Sequence, residues 1–238
     1  MLIFTDVETT GPDPKADYLC QLAYKMDKTI FNKYFKPPIP VSFDTMAVNH
    51  ITNDFLTDKP TFKDSGSYIE FQKILNDKKN ILIAHNANFD VSILENEGLI
   101  IPHYICTYKL IMFIDKELKI PKYNLQYLRY YLNIQLNEKI NAHDALGDIL
   151  VLEQIFYYIY HKFQTDDSKT ISDILNQMIN ISTSPLLLKK MMFGKHKDKL
   201  FTWIAKHELG YLEWMANQSS MLKNNKDLEY TINYYLNN

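Results

Sequence analysis

Leu2-Ile3-Phe4-Thr5-Asp6-Val7-Glu8-Thr9-Thr10-Gly11 opens the chain and decides how the rest is read. Leu2 to Glu8 is a short apolar run broken by polar residues, and Thr9-Thr10-Gly11-Pro12 closes it. The stretch therefore predicts a strand ending in a turn. Side chains two apart on a strand project from one face, which sets the carboxylates of Asp6 and Glu8 side by side at the strand's C-terminal end. An isolated Asp-x-Glu is more often a solvated strand end than a site. Its weight here comes from two further segments, His85-Asn86-Ala87-Asn88-Phe89-Asp90 and His143-Asp144-Ala145-Leu146-Gly147-Asp148.

Outward from this strand, Tyr18–Lys25 and Ile30–Lys36 read as two more, parted by the polar Asp27-Lys28. Short connections between three strands imply an antiparallel meander. Pro37, Pro38 and Pro40 then interrupt regular structure. Short helices are expected near Thr45–Asn49 and Thr52–Leu56, and a longer one over Phe62–Leu75. A strand at Asn80–Ala84 precedes a helix over Phe89–Glu97. Tyr104–Thr107 leads into a helix through Ile114, and Leu125–Leu132 and Ala145–Phe163 are helical by spacing. A meander followed by alternating helix and strand predicts an α/β fold, a mixed sheet flanked by helices. The polar run Gln164–Lys169 suggests a boundary, with a main domain over 1–165 and a small, mainly helical module over 166–238. Trp203, Tyr211 and Trp214 are expected in that module's core.

Composition narrows the function classes. The chain has 238 residues, is 46% hydrophobic and carries a formal net charge of -2. That balance excludes a protein that coats nucleic acid by bulk charge, and leaves a local basic patch as the means of gripping a strand. Cys20 and Cys106 lie in apolar stretches and read as buried thiols of a reducing compartment. No signal-like segment precedes Asp6, and no apolar run is long enough to span a bilayer. A cytoplasmic protein without a membrane partner is expected.

The chemistry follows from the acidic residues. Carboxylates brought close together repel one another unless divalent cations lie between them, and hard cations such as Mg²⁺ and Mn²⁺ prefer oxygen ligands. A metal-dependent nuclease is the reading this favours. Asp90 alone would pass for a helix cap. His143 and Asp148 are five apart, about 500° of helical rotation, so His143 belongs in the loop before the helix and Asp148 in its second turn. A loop histidine with a pKa near neutrality suits removal of a proton from water.

Together the three segments resemble the DEDDh subgroup of the DnaQ-like 3′→5′ exonuclease superfamily, over Leu2 to about Phe163. Asn49-His50-Ile51-Thr52 and Asn124-Leu125-Gln126-Tyr127-Leu128-Arg129 are also similar to family segments. The resemblance implies a ribonuclease-H-like fold, two Mg²⁺ or Mn²⁺ ions, and release of nucleoside 5′-monophosphates from a 3′ end. It implies that Asp6, Glu8, Asp90 and Asp148 hold the metals, with His143 as general base. The backbone at Val7 and Thr9 would meet the terminal sugar. Asn86 is a polar contact near the scissile phosphate or simply a turn residue. Gly11-Pro12-Asp13-Pro14 departs from the Gly-Leu that relatives often carry.

The tail, Met192-Phe193-Gly194-Lys195-His196-Lys197-Asp198-Lys199, resembles the small C-terminal module of exonuclease-X-like proteins, with Asp198 where that module has a second glycine. Its lysines are a candidate contact for a DNA backbone. The implied partner is DNA with a free 3′ end, single-stranded or frayed, in repair or in proofreading beside a polymerase such as one served by an epsilon subunit. The alternatives are a 3′→5′ exoribonuclease and a catalytically silent nucleic-acid-binding adaptor.

Overall fold

The computed structural model describes residues 1–136, 144–164, 168–218, 222 and 225–238. The chain forms two compact units, Met1–Ser182 and Thr183–Asn238. In the first, β1 (Leu2–Thr9), β2 (Leu19–Met26) and β3 (Thr29–Tyr34) make the expected antiparallel meander. β4 (Ile81–Ala84) and β5 (Tyr104–Cys106) add on the other side of β1 as parallel strands, giving the order β3-β2-β1-β4-β5. The mixed sheet flanked by helices is the predicted architecture.

Period-2 alternation along β1 separates its two faces. Ile3 and Val7 enter a core with Leu22 and Tyr24 of β2 and with residues of two helices, α3 (Gly66–Asn76) and α4 (Asn88–Asn96). The opposite face carries Phe4, Asp6 and Glu8. α7 (Ala145–Phe163) covers it, with Phe156 edge-on to Phe4 at 5.5 Å and Glu153 paired to Lys25 of β2 at 2.5 Å. Ile149, Leu152, Ile155, Phe156 and Ile159 of α7 are buried at helical spacing.

Two irregularities of β1 shape its end. β4 pairs only with Leu2, Ile3 and Phe4, so the strand continues beyond its parallel neighbour. On the β2 side the register shifts between Glu8 and Thr9: Glu8 faces Gln21 and Thr9 faces Leu19. Cys20 is the extra residue of this bulge, a device that re-aims side chains at the ends of strands.

The remaining helices of this unit are α1 (Phe43–Asn49), α2 (Asn53–Leu56), α5 (Thr107–Ile114), α6 (Leu125–Tyr131) and α8 (Ile171–Thr183). α3 begins at Gly66, later than the expected Phe62. Ser65 caps it by accepting from Tyr68 N–H, and Phe62 instead packs edge-on against Phe35 at 4.9 Å. α8 buries Ile174, Met178 and Ser182, and the Ser182 hydroxyl accepts from the N–H of Cys106. Cys20 and Cys106 are both buried free thiols.

In the second unit, Lys190 and Leu200 pair across a tight turn that leads into α9 (Phe201–His207), α10 (Leu209–Ala216) and α11 (Lys226–Asn237). Gly194 and Asp198 both hold positive φ in that turn, 72° and 68°. Asp198 thus adopts the conformation that a glycine would take at no cost. The core is Met191, Phe201, Ile204, Leu212, Met215, Leu222, Leu228 and Ile232. Trp203 and Trp214 are 37% and 48% exposed, which corrects the expectation that they form it. Each lies one residue off the buried stripe of its helix, about 100° away. Among the described residues no helix is long and apolar enough to cross a membrane.

Candidate metal centre

Three predicted acids meet where β1 ends and α7 begins. Each of Asp6, Glu8 and Asp148 offers a carboxylate oxygen, and these oxygens all lie within 4.8 Å of one another. Asp148 is the fourth residue of α7, in its first turn rather than the second. Asp90 sits in the first turn of α4 and is 3% exposed. Its carboxylate takes a hydrogen bond from the N–H of Val7, a group that β4 is too short to pair.

The electrostatics reflect this crowding. Burial, and then the fields of Asp90, Asp148, Glu8 and Asp144, hold the Asp6 carboxyl well above its ordinary value. Glu8 is pushed up to about 8 by burial and then by Asp148, against a lowering hydrogen bond from Asn49. Burial likewise raises Asp90 to about 8, against the backbone hydrogen bonds at Asp90 and Val7. An all-oxygen donor set that resists ionising together fits hard divalent cations, whose charge reverses that resistance.

A layer of amides positions the acids. Asn49, at the end of α1, is buried, bonds Glu8, and also reaches the Thr9 carbonyl at 3.5 Å. Its own carbonyl oxygen accepts from Ile51 N–H at 3.0 Å, which fixes the amide's orientation. Gln126 of α6 donates to Oδ1 of Asp148. Gln21, opposite Glu8 on β2, donates to Asp144 and to Asn32, both at 2.9 Å. Asp144 stands at the N-cap position of α7 without making the side-chain cap bond.

These amides were not singled out as site residues from the sequence. Asn49 and Gln126 do fall within the two segments that resemble the family, a signal that could have found them. Gln21 carried none beyond its cross-strand position.

The second motif is held from behind. His85 Nε2 lies 2.7 Å from the Tyr123 carbonyl, which can only accept, so that nitrogen carries the proton. Burial lowers the imidazole to about 4 and keeps it neutral, so Nδ1 accepts from the Thr107 hydroxyl at 2.9 Å. Asn86 is exposed at φ 64°, and its carbonyl accepts from Phe89 N–H, a turn that Asn tolerates. Thr9 is buried and donates through its hydroxyl to the Gly11 carbonyl at 2.6 Å. A Cβ on Gly11 would lie 2.5 Å from Asp17 Oδ2. Asp17 in turn accepts from Thr10 at 2.7 Å and Asp13 N–H at 2.8 Å, so the loop bearing Pro12 is tied down. His143 lies outside the described residues.

Comparisons with known proteins bear on the family and the fold. Exodeoxyribonuclease 10 of Escherichia coli K12 is 29% identical over 204 residues, covering 85% of this chain and 83% of that protein. The DNA polymerase III subunit epsilon of Rickettsia conorii is 28% identical over 221 residues, covering 83% of this chain and 94% of the subunit. The solved structure of exonuclease X in complex with 5′ overhanging duplex DNA superposes with a TM-score of 0.58 at 24% identity, over 76% of this chain and 99% of that one, a likeness of fold. The RNase T exonuclease model matches residues 3–156, well over half of the sequence. With a family model matched over most of its length, the chain belongs to the RNase T family of exonucleases.

Proposed function

We propose that this chain is a divalent-metal-dependent 3′→5′ exonuclease that trims DNA 3′ ends to nucleoside 5′-monophosphates in repair or proofreading. The observation that carries the reading is the convergence of Asp6, Glu8 and Asp148 within 4.8 Å, beside the buried Asp90. Asp6, Glu8 and Asp148 would hold the Mg²⁺ or Mn²⁺ ions, with Asp90 supporting the second ion. When bound, the ions supply charge neutralisation at an in-line phosphoryl displacement.

The chain's own residues do the rest. Asn49 and Gln126 hold the carboxylates of Glu8 and Asp148 in fixed orientations. His143 accepts the proton of the attacking water, and its place just before α7 puts it in sequence reach of Asp148. Val7 and Thr9 supply backbone at the terminal sugar. DNA is favoured as substrate by the names of the relatives, an exodeoxyribonuclease and a DNA polymerase subunit.

The test is a 5′-labelled single-stranded DNA and a matched RNA, each incubated with Mg²⁺ or EDTA, with Asp6→Ala alongside. A ladder shortening from the 3′ end of DNA, lost in EDTA and in the variant, is the expected result. A ladder on RNA alone would replace DNA with RNA as substrate. No cleavage of either, with Mn²⁺ also tried, would overturn the reading.

A further inference from the structure

The far end of α7 borders an open cavity of about 580 Å³, within the range of small-molecule sites. Lys162 lies 14 residues beyond Asp148 on the same helix, about 21 Å along its axis, so this cavity is separate from the metal centre. Its walls come from the end of α5, the loop after it, α6, α7, Lys169 just before α8 and Gln177 in the middle of α8.

Two features recur on those walls. The first is ammonium groups: Lys116, Lys119, Lys162 and Lys169. The carboxylates that line the cavity are engaged. Glu117 pairs with Lys119 at 2.6 Å, and Asp115 accepts from Lys119 N–H, Ile120 N–H and the Tyr123 hydroxyl, each at 2.9 Å. Lys169 bonds the Gln177 carbonyl oxygen at 3.3 Å and acts on Asp173, which already accepts from Thr170. Lys116 and Lys162 meet no carboxylate among the described residues. The second feature is flat rings. Phe113 and Phe163 lie stacked at 6.1 Å, Tyr131 is 45% exposed, and Lys162 stands 5.4 Å over the ring of Tyr158. The Tyr131 hydroxyl is anchored on the Lys119 carbonyl at 3.1 Å, so the aromatic wall has a fixed position.

Two ammonium groups, Lys116 and Lys162, with no carboxylate partner among the described residues, beside exposed rings, suit a ligand with both a phosphate and a planar base. We propose that this cavity binds a nucleoside phosphate, either the free mononucleotide or one residue of a bound strand. The choice of a nucleotide over another aromatic anion rests on the exonuclease reading, whose substrate and product both carry that chemistry.

The experiment follows backbone amide shifts of the full chain in EDTA during titration with dAMP, deoxyadenosine, inorganic phosphate or a short single-stranded DNA. Saturable dAMP shifts at Ile114, Lys116 and Tyr131 are expected, weakened at least about tenfold in the double variant Lys116→Ala/Lys162→Ala as two charged contacts are lost. Deoxyadenosine and phosphate alone should each bind more weakly than dAMP. Tighter binding of the strand than of dAMP would identify a strand contact, and equal or weaker binding a product site. Shifts confined to the segments of Asp6 and Asp148, equal binding of phosphate and dAMP, or an unchanged affinity in the double variant would each overturn the proposal. Because the titration needs no turnover, it stays informative if the wild-type chain shows no Mg²⁺-dependent cleavage, a result that would sink the exonuclease reading alone.

Discussion

The side-chain amide of Gln126 donates a hydrogen bond to Oδ1 of Asp148, joining α6 to the first turn of α7 at the candidate metal centre. An amide cannot neutralise the carboxylate, but it fixes which oxygen faces Asp6 and Glu8. Outer partners of this kind typically set metal affinity by about 10–100-fold. Gln126→Ala should therefore weaken Mg²⁺ binding by about that factor while leaving the fold intact, as calorimetric titration with Mg²⁺ would show. Unchanged affinity would mean that the contact only packs α6 on α7.

Asp6→Ala and His143→Ala should separate two ways of failing. The first removes a central carboxylate, so cation binding and turnover should vanish together. The second would remove the proposed base and no proposed ligand. Turnover should fall by about 10²–10⁴ while Mg²⁺ still binds. Full rate in His143→Ala at neutral pH would assign the proton transfer elsewhere.

Stability of the metal-free protein should fall as pH rises. Asp90 and Glu8 are each raised to about 8, and Asp6 is raised as well, so these groups bind more protons folded than unfolded. Their contribution is fully present below the unfolded values near 4 and is lost as pH climbs through about 8. His85 works the other way. It is lowered to about 4, so its contribution is present above its unfolded value and lost as pH falls from about 6.5 to about 4. Thermal unfolding in EDTA should show a lower Tm at about pH 9 than at about pH 6.5, and saturating Mg²⁺ should remove most of that difference. A Tm that rises with pH in EDTA would contradict the carboxylate crowding.

Asp198 holds φ 68°, a left-handed conformation that strains any residue with a Cβ, though Asp less than most. Asp198→Gly should stabilise the second unit by about 1 kcal/mol, read as slower hydrogen exchange in Met191, Phe201 and Ile204. Asp198→Val should have the opposite sign, because a β-branched side chain meets the preferred clash head-on.

Much of this protein follows from its sequence, because the decisive signals are local. Alternation along Leu2–Thr9 fixes that Asp6 and Glu8 share a face, and helical spacing delimits Ala145–Phe163 residue for residue. Side-chain chemistry alone is a poorer guide where only one helical face is buried. Trp203 and Trp214 look like core residues by chemistry, yet stand one position off the stripes of Phe201 and Ile204 and of Leu212 and Met215. Tertiary structure alone decided the layer behind the acids. Val7 N–H to Asp90, Asn49 to Glu8, Gln126 to Asp148 and Gln21 to Asp144 join residues from different elements. A polar partner far away in sequence leaves no periodic trace. It is selected only when folding buries two groups that would otherwise lack a hydrogen bond.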